Sequence, residues 1–175
     1  MAMEYDMPRT KPKSRSSSTS PSKDSALLAE QLRRAFEGDA WHGPALLELV
    51  ADVGPSTAAA HPIKDVHSIW ELVLHIAAWD DAVNRRIVLG KALQLKDEEN
   101  FPPVKDSSAA AWKKAVDHAK QVHAQLLRTV ESLPDRRLTE QVPGKSYDIR
   151  FMLEGVAQHE LYHAGQIAIL KKARM

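Results

Sequence analysis

The chain has 175 residues, of which 43% are hydrophobic and 27% are charged, and its formal net charge is +1. These values are typical of one soluble globular domain. The sequence contains no cysteine, which excludes disulfides, thiolate metal sites and a cysteine nucleophile.

The N-terminal residues 1–23 are rich in Ser, Pro and Lys and almost free of large apolar side chains. Such a segment cannot bury enough apolar surface to fold, so we expect a disordered tail and one domain over residues 24–175. Five basic and two acidic side chains give the tail +3, which leaves −2 for the domain. The domain therefore offers no broad basic surface for nucleic acid.

The sequence also lacks signals for export or membrane insertion. The N-terminus has no apolar stretch of the secretory type, and no apolar run approaches the ~20 residues that a membrane-spanning helix needs. We therefore expect a cytoplasmic protein that does not bind membranes.

Helical periodicity starts at Asp24. The first predicted helix is interrupted over residues 38–44, where two glycines and a proline occur, and it resumes as a second short piece. The second helix begins after Ser68, which can form a capping box with Glu71. Gly90 is expected to end it.

Two more helices follow. The third runs from about Ser108 to Leu133, and the fourth opens near Asp148. Residues 91–107 form a link much longer than the usual ~2–8 residues between antiparallel neighbours, which allows the second and third helices to run parallel. No convincing strand is found, so we predict an all-α, four-helix bundle.

Three histidines lie on the apolar faces of the predicted helices. His159 and His163 are one turn apart on the fourth helix, and His75 is on the inward face of the second. Buried imidazoles need partners for their nitrogens, and a shared divalent ion would supply one for all three. We predict these three histidines as metal ligands. The alternative is three separate core histidines, each bonded to a carbonyl or carboxylate.

Residues 159–163 also read H-E-x-x-H, the signature of zinc proteases, in which Glu160 would be the general base. The twelve residues that follow His163 contain no His, Asp or Glu, so a third ligand would have to come from upstream. A protease is therefore a remote alternative. Glu160 is also about 100° around the helix from His159, which favours a solvated or supporting carboxylate.

Two further side chains are candidates for the site. His42 lies in the break of the first helix, from which a side chain could reach into the bundle, although capping of a turn anchored by Trp41 is the favoured interpretation. Gln166 follows His163 by three residues and could bind a ligand or the neighbouring helix. The remaining histidines are predicted to be surface residues: His61, His67, His118 and His123.

Three stretches resemble the DinB superfamily, which includes YfiT-like proteins and bacterial thiol transferases. They are residues 41–44 (WHGP), 68–79 (SIWELVLHIAAW) and 159–167 (HELYHAGQI), and the resemblance extends over about residues 25–173. It implies an up-down-down-up four-helix bundle, usually dimeric, with a divalent metal ion, commonly zinc or nickel. The ligands of that ion match His75, His159 and His163.

The resemblance also implies a function. Activities in the superfamily are metal-dependent transfer or isomerisation reactions that use low-molecular-weight thiols such as bacillithiol or mycothiol. Three neutral imidazoles leave a coordination position open, where water or a thiol can be activated. We therefore predict a homodimeric enzyme, a thiol-dependent transferase or hydrolase with a small-molecule substrate. The alternative is a non-enzymatic stress-response binding protein in which the ion joins the second and fourth helices.

Overall fold

The computed structural model describes residues 24–173, and this part of the chain is all helical, without a strand. The predicted disordered tail, residues 1–23, lies outside the described residues. A short 3-10 helix, Asp135–Thr139, precedes the last α-helix. The α-helices are α1 (Asp24–Phe36), α2 (Leu46–Val50), α3 (Pro55–Ala58), α4 (Ile69–Leu89), α5 (Asp97–Asn100), α6 (Ala109–Glu131) and α7 (Ile149–Lys172).

The ends of the long helices follow from local sequence. Ser68 Oγ accepts a hydrogen bond from the Glu71 backbone N–H at 3.2 Å, and the Glu71 carboxylate accepts one from the Ser68 backbone N–H at 2.7 Å. This reciprocal pair satisfies two free N–H groups at the start of α4. Gly90 ends α4 with a left-handed φ of 57°. Asp148 caps α7 by accepting from the Phe151 N–H at 2.8 Å. The predicted starts of α4 and α7 are confirmed.

The four longest helices pack together through their apolar faces. Helices α4 and α1 each pack against both α6 and α7. One apolar cluster joins the first half of α4 with α2, α6 and the end of α7, and a second joins α1 with α6 and the first half of α7. Helices α4 and α7 are thus neighbours, as a metal site shared between them requires. The up-down-down-up order remains a prediction.

The long connection between α4 and α6 is held against α4 by packing and hydrogen bonds. Helix α5 lies within it and packs on α4. Arg86 of α4 donates two hydrogen bonds to the carbonyl of Leu93, at 3.1 Å from Nε and 2.8 Å from Nη2. Phe101, which follows α5, packs against the first apolar cluster. The connection is therefore anchored to α4 at Leu93 and packs against the first apolar cluster through Phe101.

Across residues 24–173, none of the helices combines the length and the apolar character that crossing a bilayer requires.

Candidate metal centre

The three predicted ligand histidines come together between α4 and α7. The Nε2 atom of His159 is 2.9 Å from Nε2 of His75 and 3.0 Å from Nε2 of His163. His159 and His163 face the same way because they are one helical turn apart. The donor atoms are arranged so that this group could hold a metal ion.

The outer nitrogens of two rings are fixed by acceptors. His75 Nδ1 lies 2.7 Å from the backbone carbonyl oxygen of Asn100, and His163 Nδ1 lies 2.7 Å from the amide oxygen Oε1 of Gln166. Because both partners can only accept, each Nδ1 carries the hydrogen and donates it. Each Nε2 is therefore left with a lone pair that points toward His159.

This hydrogen-bond pattern cannot be completed by the three imidazoles alone. A neutral His159 has at most one hydrogen on Nε2, so it can donate to His75 or to His163 but not to both. A cation accepts lone pairs from all three rings. Ligand nitrogens about 2.05 Å from a tetrahedral zinc ion are about 3.3 Å apart, so the rings need to separate by only a few tenths of an ångström. The residues present fit a divalent ion.

The protonation of the site also suits a cation. Burial lowers the pKa of His75 to about 4, with a smaller contribution from His163. Burial lowers the pKa of His159 to about 3, and the two other histidines add to this effect. Burial lowers the pKa of His163 as well. At neutral pH the three rings are therefore uncharged, which leaves their lone pairs free for a metal.

The long connection holds His75 in place. Phe101 stacks on its ring with a centroid distance of 4.0 Å and an interplanar angle of 6°. The indole Nε1 of Trp79 donates to the side-chain Oδ1 of Asn100 at 2.9 Å. Asn100 and Phe101 were not predicted as site residues, because this segment has no periodicity that would place it. The length of the connection was the only available signal.

A cavity of about 470 Å³ opens beside the three histidines. Its walls are mainly apolar and include Val83, Met152 and Val156. Phe151 and Tyr162 also line it, and both are more than half exposed. The histidines are therefore accessible to a small molecule from one side.

The family model of the DinB superfamily matches residues 39–167. The chain belongs to this superfamily. The matched region contains all three histidines of the site and excludes α1. Comparison with curated proteins and comparison with solved structures gave no match.

In this superfamily member, Gln166 and Glu160 lie in different positions relative to the triad. Gln166 bonds to the ligand His163 on its own helix. Glu160 is fully buried, lies 3.2 Å from His123 on α6 and is not among the residues that line the cavity. Of the two environments expected for Glu160, solvent or a supporting position, its burial excludes solvent. It does not line the cavity, so it is not positioned as a general base at the triad.

The side chain of His42 does not reach into the bundle. His42 is exposed and lines a different surface cavity, together with Trp41, Arg34 and Gln158. Trp41 is fully solvent-exposed, so it does not anchor the turn as expected. The segment between α1 and α2 therefore contributes neither of these side chains to the triad.

A second polar group lies in the core behind the triad. His123 Nδ1 is 3.0 Å from Asp80 Oδ2 and 3.2 Å from Glu160 Oε1, and all three side chains are at most 1% exposed. His123 was predicted to be a surface residue, which is wrong. It follows Ala119 by four residues and precedes Leu126 by three, so its spacing matched the inward face of α6.

Interactions within this buried group shift the pKa values of His123 and Glu160. Burial alone would lower the pKa of His123, but hydrogen bonds and charge from Asp80 and Glu160 raise it to about 9. Burial raises the pKa of Glu160 well above its usual range, and the charge of Asp80 adds to this. Both shifts favour the protonated forms of His123 and Glu160 in this group. The group joins α4, α6 and α7, although its donor atoms could also hold a cation.

Proposed function

We propose that this chain is a metal-dependent enzyme in which His75, His159 and His163 hold one divalent ion beside a small-molecule cavity. The observation that carries the proposal is the convergence of three Nε2 atoms, two of which are left with lone pairs by the hydrogen bonds on Nδ1. An ion held by three neutral imidazoles lowers the pKa of a bound water or thiol.

The residues around the triad have separate roles in this proposal. The Asn100 carbonyl and the Gln166 amide orient the rings of His75 and His163. The cavity, at about 470 Å³, has the volume of a small-molecule site, for which the usual range is ~300–1,000 Å³. Its apolar walls displace water from the substrate, which strengthens electrostatic interactions near the triad.

The reaction that we propose is transfer of a low-molecular-weight thiol to an electrophilic substrate. The thiol sulfur forms a bond to the electrophilic carbon, the leaving group departs with its electron pair, and the thiol proton passes to solvent. Hydrolysis, with water in place of the thiol, is the alternative from the same site. Zinc or nickel, a homodimer and the up-down-down-up bundle complete the proposal and rest on the family resemblance. A cytoplasmic location is also proposed, from the lack of export signals in the sequence.

A non-enzymatic metal site that only joins α4 to α7 is the second candidate. Structural zinc sites are usually closed by four protein ligands. Within residues 24–173, the donor group consists of three histidines, and a cavity lies beside it. These observations favour the enzyme. A zinc protease is not supported, because Glu160 is buried against His123 and does not line the cavity.

The activity can be tested by screening thiols against electrophiles. Metal-loaded protein would be incubated with bacillithiol, mycothiol or glutathione and monochlorobimane, and with nitrophenyl esters for hydrolysis. We expect thiol conjugation that needs added zinc or nickel and is lost in His75→Ala. The matched control is His118→Ala, an exposed histidine of α6. Equal activity in His75→Ala and wild type would contradict the proposal.

A further inference from the structure

Arg86 lies in the same cavity as the three histidines. It is 4% exposed, and it is the one buried arginine or lysine among residues 24–173. Its Nε and Nη2 atoms both donate to the Leu93 carbonyl. Its guanidinium carbon lies 5.5 Å from the centre of the Trp79 ring, which places a cation on an aromatic face.

The charge of Arg86 has no protein counterion in the described part of the chain. No Asp or Glu pairs with it there, and the thirteen residues that line the cavity include no acidic side chain. Its exposed neighbour Arg85, in contrast, pairs with Asp81. A buried cation without a counterion is costly unless other groups compensate it. The Leu93 carbonyl, the Trp79 ring and the C-terminal end of α4 all favour the cation, but none of them carries a full negative charge.

The Trp79 ring lies close both to Arg86 and to His159 of the triad. The Trp79 ring is 5.8 Å from the His159 ring and 5.5 Å from the Arg86 guanidinium carbon. The guanidinium carbon of Arg86 therefore lies no farther from the centre of the His159 ring than the sum of these two distances. Val83, one turn before Arg86 on α4, lines the same cavity, as do Met152 and Val156. One small molecule can contact both ends of the cavity.

We infer that Arg86 binds the carboxylate of the substrate. Its Nη1 has no hydrogen-bond partner among the described residues and can donate to that carboxylate, while the Leu93 carbonyl holds the other edge of the guanidinium. The substrate is then a small organic acid with an apolar middle and a reactive group at the triad. This inference rests on the proposed function for the reactive end, but the carboxylate site itself does not require the metal.

The test uses two matched pairs of small molecules. The first is 6-mercaptohexanoate and 6-mercaptohexanol, and the second is hexanoate and hexanol, which lack the thiol. Binding to zinc-loaded and metal-free protein is followed by calorimetry and by Trp fluorescence. For wild type we expect each carboxylate to bind at least about tenfold more tightly than its alcohol, because a charged hydrogen bond is added.

Substitutions test whether Arg86 causes this preference for the carboxylate. Arg86→Met should reduce the ratio of affinities to about one, and Arg85→Met, the exposed control, should leave it unchanged. Because Arg86 also donates to the Leu93 carbonyl, its loss could disturb the fold. Arg86→Gln is therefore included as a variant that keeps a donor without the charge. It should lose the preference for the carboxylate over the alcohol as well. Folding of each variant is checked by circular dichroism.

The outcomes separate this inference from the proposed function. A wild-type ratio near one, or a full preference retained in Arg86→Met or Arg86→Gln, would overturn the role of Arg86. The zinc content of the Arg86 variants is measured independently and should equal that of wild type. A preference of hexanoate over hexanol in metal-free protein would support the carboxylate site even if the triad bound no metal.

Discussion

The backbone carbonyl of Asn100 accepts the Nδ1 hydrogen of His75 at 2.7 Å, across a separation of 25 residues in the chain. This bond joins the connection after α4 to the ligand on α4 itself. Because a ring nitrogen bonded to a carbonyl must carry the hydrogen, the bond selects the tautomer that exposes the Nε2 lone pair. The connection is therefore part of the site, and its contacts can be tested separately from the ligands.

Removal of the side chain that supports this connection should weaken metal binding. In Asn100→Ala the backbone carbonyl remains, but the hydrogen bond from Trp79 to Asn100 Oδ1 is lost. Supporting contacts of this kind typically contribute about 10–100-fold, and because the carbonyl partner of His75 is kept we expect the lower end, a fall in zinc affinity of about tenfold. Competition with a chromophoric chelator measures the change. Gln94→Ala, at an exposed position of the same connection, is the control; an equal loss there would contradict the assignment.

Gln166→Ala should weaken zinc binding more strongly. The Gln166 amide oxygen is the partner of His163 Nδ1, and without it the ring can rotate and change tautomer. We expect about a 10–100-fold lower affinity by the same competition assay. Gln158→Ala removes an exposed glutamine from the same helix and should have no effect. Unchanged affinity in Gln166→Ala would show that this hydrogen bond does not orient the ligand.

The metal-free protein should lose stability in mild acid. The pKa of His75 is about 4 and that of His159 is about 3 in the folded chain, below the ~6.5 of an unfolded histidine. The unfolded state therefore binds more protons below pH 6.5, so the stability contribution is full above that pH and is lost as the pH falls toward 4.

The slope of this loss can be measured by urea unfolding in the presence of a chelator. It is at most about 1.4 kcal/mol per histidine per pH unit, and it will be smaller because the site opens to a cavity. His75→Gln should reduce the slope, and His118→Gln, which changes an exposed histidine, should not. Equal slopes in wild type and His75→Gln between pH 7 and pH 5 would contradict a neutral, buried His75.

His123→Ala should destabilise the fold without being part of the triad. It removes the cation between Asp80 and Glu160, both fully buried, and leaves the carboxyl groups without their partner. Loss of one member of a buried pair costs about 3–5 kcal/mol. Urea unfolding at neutral pH measures this, with His118→Ala on the same helix as control, for which we expect a change within about 0.5 kcal/mol. A loss below about 1 kcal/mol in His123→Ala would show that the charges are compensated in another way.

The sequence predicted those features that depend on local chemistry. Capping at Ser68 and Asp148 and the glycine at position 90 determine where α4 and α7 start or stop. The apolar spacing around His75 and His163 placed both rings inward. These predictions succeeded because caps and helical periodicity act within a few residues.

Features that depend on tertiary contacts could not be predicted in this way. His123 was predicted at the surface because the predicted apolar face of α6 did not include position 123. Its partners, Asp80 and Glu160, come from other helices, so local sequence does not reveal them. Asn100 and Phe101 lie in a connection whose path depends on α4. The exposure of Trp41 likewise depends on the packing of its surroundings rather than on its side chain.

The central claim, that imidazoles from α4 and α7 bind one ion, is tested most directly by metal analysis of the purified protein. Wild type, His75→Ala, His163→Ala and the control His118→Ala would be loaded with zinc, desalted and measured by mass spectrometry. We expect about one zinc ion per chain in wild type and control, and a loss of at least about tenfold in occupancy in both ligand variants. Stoichiometric zinc retained in His75→Ala and His163→Ala would contradict a shared site.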